Sequence, residues 1–139
     1  MTGTNCTPFT DEWIRIYQYL WTQCFAHAFD LGIDVTVLPH LDDAAGKVWR
    51  NHLKFDPTSK YGGFSYFDIA TTPLELALDD ASKASRISSH SEIHFFMEGE
   101  MGATLFSYPS SYLEELKNIQ SRHPTWNVGI EIIWNDEDG

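Results

Sequence analysis

One stretch constrains the fold more than any other: PFTDEWIRIYQYLWTQCFAHAFDLG, residues 8–32. Thr10 is a natural N-cap, because its hydroxyl can accept a free backbone N–H of the first turn. Asp11 and Glu12 follow at the positive end of the helix dipole. Phe9 and Ile14 stand at staple spacing, and Gly32 can take the left-handed conformation that stops a helix. The faces of this predicted helix are unusual. Trp13, Tyr17, Leu20, Cys24 and Ala28 form one stripe; Ile14, Trp21, Phe25 and Phe29 form a second beside it. Arg15, Tyr19, Thr22, Ala26 and Asp30 leave the third face only weakly polar, where a solvated helix normally carries more charge. Such a helix is either central to its domain or offers part of its surface to a contact. Burial within the same domain is the expectation, with Cys24 as a buried free thiol.

The rest of the chain alternates between strand and helix signals. IDVTVL (33–38) is a β-branched strand ended by Pro39. Residues 40–55 read as a helix capped by Asp42 or Asp43, with Val48, Trp49 and Leu53 inward. DPTSKYGG (56–63) reads as a loop, and FSYFDI (64–69) as a strand. Thr72, Pro73 and Glu75 look like a capping box opening a helix over 72–85. EIHFFMEGEMGATLFSY (92–108) reads as a β-hairpin, its turn at EGEMG and its return strand holding Leu105 and Phe106. Ser111 and Glu114 cap a further helix that His123-Pro124 ends, with Tyr112, Leu113, Leu116 and Ile119 as its buried stripe. WNVGIEIIW (126–134) is a last strand, with Val128, Ile130, Ile132 and Trp134 on one face.

These elements predict an α+β fold, an α/β-type sandwich in one domain over residues 1–139. Its mixed sheet has four to five strands with a C-terminal ββαβ unit, packed against three to four helices. A chain of 139 residues can bury about two thirds of its unfolded surface and needs no metal or disulfide to stay folded. Cys6 and Cys24 form no recognisable disulfide framework. No run approaches about 18 uninterrupted apolar residues, and MTGTNCTPFTDEW lacks the pattern of a secretory leader. The expected location is therefore the cytoplasm.

Net charge is −11, carried by the two ends of the chain: −5 over residues 1–46, +1 over 47–86 and −7 over 87–139. Such a chain repels nucleic-acid phosphates and anionic lipid surfaces, and attracts basic proteins. Direct binding to nucleic acid or to a membrane is not expected.

Catalytic signals are weak. His90, Glu92 and His94 project to one side of an extended strand, so two imidazoles and a carboxylate could meet a zinc or iron ion. A sheet with one wet face accounts for the same pattern, and no metal or cofactor is expected. Asp42 and Asp43 beside His40 read as helix caps rather than cation ligands. Cys24 and His27 stand one turn apart but in apolar surroundings, and Glu98 and Glu100 flank a turn where exposed carboxylates are ordinary. No nucleophile-elbow, phosphate-loop, dinucleotide or C-x-x-C motif is present.

The reading that remains is a small acidic cytoplasmic binding protein that neutralises a basic partner, such as a nuclease toxin or another nucleic-acid enzyme. Glu92, Glu98, Glu100, Glu131, Asp136 and Glu137 would meet the partner's cations. Tyr61, Phe64 and Tyr66, in the glycine-containing KYGGFSYF loop, would anchor it. The alternatives are a metal-dependent or acid/base enzyme using residues 90–100, or a homo-oligomeric subunit joined through the helix over 10–31. Sequence alone leaves the oligomeric state open.

Overall fold

The computed structural model describes residues 8–85 and 91–131. Helix α1 spans Asp11–Asp30 and starts as its sequence dictates: Thr10 is extended, and its Oγ1 accepts the Trp13 N–H at 3.2 Å. Gly32, at φ +69°, turns the chain out of the helix. Strand β1 is Val35–Val37, followed by a long loop with one 3-10 turn at Arg50–His52. A π-helical turn at Phe67–Thr71 leads into α2, Thr72–Ala84. Then come β2 (Ile93–Phe96), α3 (Gly102–Ser107), α4 (Pro109–Arg122) and β3 (Asn127–Gly129). Among the described residues no helix is long and apolar enough to cross a membrane.

The α+β class holds, but the mixed sheet of four to five strands does not. The sheet has three strands in the order β1-β2-β3, all parallel. Val37, Phe95 and Val128 align across it, as do Thr36, His94 and Asn127. Its two faces differ accordingly. Val35, Val37, Ile93 and Phe95 are buried, whereas Thr36 and Asn127 are exposed and His94 half-buried. One dry face and one wet face are more usual in antiparallel sheets, and the alternation in β2 reflects this.

Three sequence assignments fail for identifiable local reasons. The expected hairpin over 92–108 is a strand followed by a helix. Met101, Leu105 and Tyr112 are buried with Tyr108 half-buried between them, a helical spacing that outweighs the alternation. Gly102 N–H donates to Asn51 Oδ1 at 2.7 Å, and Thr104 Oγ1 donates to Leu53 O at 2.6 Å, so α3 is bound to the long loop. FSYFDI is a helix entry, not a strand: Ser65 N–H donates to Asp68 Oδ2 and Asp68 N–H to Ser65 Oγ. That reciprocal pair is the true capping box, so Thr72 is already inside a helical run and caps nothing. The expected helix over 40–55 is mostly loop. The Asp43 carboxylate accepts the N–H groups of Ala45, Lys47 and Val48, with Gly46 at φ +63° closing the turn. Val48 and Trp49 are exposed rather than inward. The last strand is short, and residues 132–139 lie outside the described region.

The core joins the dry face of the sheet to α2 (Leu74, Ala77, Leu78, Ala81) and α4 (Tyr112, Ile119). α1 lies mainly against α2. Of the twenty residues of α1 only Phe25 and Phe29 are buried, both in its carboxyl-terminal half. Their burial contributes roughly 3–6 kcal/mol together. Cys24 is an exposed thiol, not a buried one. On α4, Leu113 is exposed, contrary to its expected place in the buried stripe.

Glu75, freed from any capping role, clamps α2 to the end of α4. Its buried carboxylate takes a bidentate pair from Arg122 (2.7 and 2.8 Å), and His123 Nε2 lies 2.9 Å from its Oε1. The His123 ring stacks on buried Trp126, with centroids 3.8 Å apart. Removing one partner of such a group strands a charge inside. Arg122→Ala is therefore expected to lower stability by about 2 kcal/mol, discounted because Arg122 is half exposed. Adding Glu75→Gln should recover part of that loss. Urea unfolding at pH 7 measures both.

Candidate functional site

The chain leaves all three parallel strands at one edge of the sheet, the edge where open α/β sheets place their ligands. There the loops after β1 and β2 meet: Gly99 N–H donates to Pro39 O at 3.1 Å. A Cβ on Gly99 would collide with the His40 ring and Leu38, so glycine here lets both side chains close over the turn without shifting. Arg50 organises the surface of the junction. It pairs with Asp42 at 2.9 Å and with Glu100 at 3.3 Å, and donates to His40 Nδ1. Glu100 stands at φ +57°, the one left-handed non-glycine residue among those described. That conformation costs on the order of 1–2 kcal/mol.

Beneath this surface Glu98 is fully enclosed. Its Oε2 accepts the Met101 N–H at 2.8 Å, while Oε1 has no partner among the described residues. Burial pushes its carboxyl up to about 7; the Met101 hydrogen bond opposes the shift, and the charge of Glu131 adds to it. Tyr66 Oη donates to Met97 O at 3.0 Å, and Tyr112 Oη, also enclosed, has no partner among the described residues. Burial first, and the neighbouring Glu98 charge second, push the Tyr112 phenol up. Glu98 is thus an interior acid that holds its proton up to neutral pH.

Two apolar hollows adjoin this edge. The larger, about 390 Å³, lies between the amino-terminal half of α1 and the loop after β1. Phe9, Trp13, Tyr17 and Leu41 are among its walls. The smaller, about 240 Å³, is walled by Phe55, Tyr61, Phe64 and Tyr66. The two share Phe9, Leu41 and Ile69 as walls, so they lie side by side and make up the groove beside α1.

The sequence-expected contact residues fall in different places. Tyr61 is 57% exposed on the groove lip, edge-on to Phe55, and Phe64 is half-buried in the groove wall. Tyr66 turns its ring inward and is buried, and Glu98 is interior; the expectation that both present themselves to solvent is corrected. Glu92 is exposed but lies at the opposite end of β2, 3.3 Å from His94 Nε2, so it joins no patch with Glu100. Glu100 is engaged by Arg50, and Glu131 is half-buried. Asp136, Glu137 and His90 lie outside the described residues. Among the described residues no three His, Cys, Asp or Glu side chains converge on a metal position. Sequence reasoning missed the Arg50 junction and the exposed rings of α1. The signal for the second was legible: α1 carries more apolar stripes than one core contact can use.

The Glu98 carboxyl gives a pH test. Its folded value, about 7, lies above the ordinary 4.5. Between those limits the folded protein keeps a proton that the unfolded chain has lost. The stability this group supplies is complete below pH 4.5, falls as pH rises, and is gone above about 7. The change is about 3 kcal/mol. Relative to wild type, Glu98→Gln should remove that slope; urea unfolding of both proteins at pH 5 and pH 8 measures it.

In comparisons with known proteins, no family model, no curated protein and no solved structure matches this chain.

Proposed function

We propose that this chain is a binding protein, acting in the cytoplasm, that captures and neutralises a basic partner protein through the groove beside α1. The groove made of these two adjoining aromatic hollows carries this reading. Pockets that bury an apolar anchor supply most of the short-range energy of a protein interface, and this one opens beside exposed Phe9, Trp13 and Tyr61. Carboxylates stand close in sequence to its walls: Asp11 and Glu12 next to Trp13, Asp42 and Asp43 after Leu41, Asp68 before Ile69. With a net charge of −11, they favour encounter with a cationic surface and select against anionic ones. A partner segment with one or two apolar side chains flanked by Lys or Arg matches both features.

The contact surface proposed here rests on the rings and on these carboxylates, not on Glu98, which is interior. Asp42 and Glu100 contribute only if Arg50 releases them. Association with the partner should slow by tenfold or more between 50 and 500 mM salt. Tyr61→Ala together with Leu41→Ser should raise Kd at least tenfold with little change in association rate. Affinity capture from the source cell at both salt concentrations, followed by biolayer interferometry on the recovered protein, provides the measurement. Recovery of no basic protein at low salt, or binding indifferent to both substitutions, would contradict the reading.

A further inference from the structure

The side of α1 turned away from α2 carries a pattern that meets the groove only at Trp13. Trp13 is 57% exposed, Ile16 41% and Leu20 60%, and Cys24 and His27 are exposed below them. These five positions are spaced 3, 4, 4 and 3 residues apart, a mean of 3.5, which is the period of a two-helix seam. The spacing also reads the same from either end, with Leu20 at its centre. Between Ile16 and Phe29, α1 contains no Asp, Glu, Lys or Arg. A seam without charge gives a cationic partner nothing to pair with, and removes local repulsion between two copies of an acidic protein.

We propose that two copies of this chain associate through antiparallel α1 helices, with Leu20 on the two-fold axis. Reversal about Leu20 sets Ile16 against Cys24 of the second copy, and Trp13 against its His27. A histidine already stacks on a tryptophan within this fold, His123 on Trp126. The acidic first turn, Asp11 and Glu12, comes to lie beside His27 in the last turn of the opposite helix, and the two helix dipoles oppose. With roughly 150–250 Å² for each large side chain, the exposed parts of this face amount to about 500 Å² per copy. The pair buries about 1,000 Å², at the lower limit for a specific interface, consistent with a Kd on the order of 10 μM. The net charge of −11 on each copy opposes association outside the seam. Dimerisation therefore strengthens with salt, the reverse of capture of a basic partner.

Sedimentation velocity of the full chain from 1 to 100 μM, at 50 and 500 mM NaCl, tests this. The expected result is a monomer–dimer equilibrium that tightens several-fold at the higher salt. Leu20→Glu should leave a monomer with an unchanged circular dichroism spectrum, since Leu20 is 60% exposed in the single chain. In a background with Cys6 and Cys24 changed to serine, Leu20→Cys should form a disulfide dimer on oxidation and Trp13→Cys should not. A wild-type monomer at 100 μM in both salts overturns the proposal, and so does a dimer indifferent to Leu20→Glu. Cross-linking through Trp13→Cys also overturns it, because only a parallel pair brings those positions together.

Discussion

Phe25 and Phe29 fasten α1 to the rest of the protein, and most of what this molecule presents to solvent follows from where they sit. Both lie in the carboxyl-terminal half of the helix. Burying two phenylalanines suffices to dock a helix on α2, whose Ala77 and Ala81 are small and fully buried. The amino-terminal half then extends beyond the core with Trp13, Tyr19 and Leu20 largely in water. One wall of the aromatic groove and the uncharged outer seam are two consequences of that single attachment. A helix anchored along its whole length would have left neither.

The charge of the molecule is distributed by the same economy of structure. Several carboxylates serve the fold before any partner arrives. Glu75 ties α2 to α4 through Arg122 and His123. Asp43 and Asp68 close backbone turns, and Glu100 is held by Arg50. Glu98 is interior and holds a proton to about neutral pH. Among the described residues, Glu98 is enclosed and Glu75 and Glu100 are paired, so fewer carboxylates stand unpaired at the surface than composition suggests. The proposed dimer seam and the proposed partner groove take largely different sides of α1, with Trp13 common to both, and salt would move the two associations in opposite directions.

Much of this was legible in the sequence wherever one residue type does one local job. Thr10 caps α1, Gly32 ends it, His123-Pro124 ends α4, and the alternation in IHFF marks β2 with one wet side; α4 itself starts at Pro109, without the expected Ser111 cap. Misreadings occurred where two local signals compete. Ser65 and Asp68 cap a helix inside a run whose aromatic content favours a strand. Residues 102–107 alternate as a strand would, but tertiary hydrogen bonds to Asn51 and Leu53 favour the helix that also buries Met101, Leu105 and Tyr112. The long loop after β1 could not be foreseen, because Asp43 is as good a partner for a closed turn as for a helix N-terminus. At the candidate site, Tyr61 and Phe64 were found by composition. The placement of Glu98 depends on which strand ends meet, and parallel pairing of β1, β2 and β3 is a long-range property that no local pattern carries.

The central claim is that the amino-terminal half of α1 belongs to contact surfaces and not to the core. Hydroxyl-radical footprinting read by mass spectrometry addresses it residue by residue. On dilute protein, Trp13, Tyr19 and Leu20 should be modified rapidly while Phe25 and Phe29, in the same helix, stay protected. Protection of Trp13 and Leu20 equal to that of Phe29 at the lowest concentration would mean that the chain covers this face itself, and would contradict the claim.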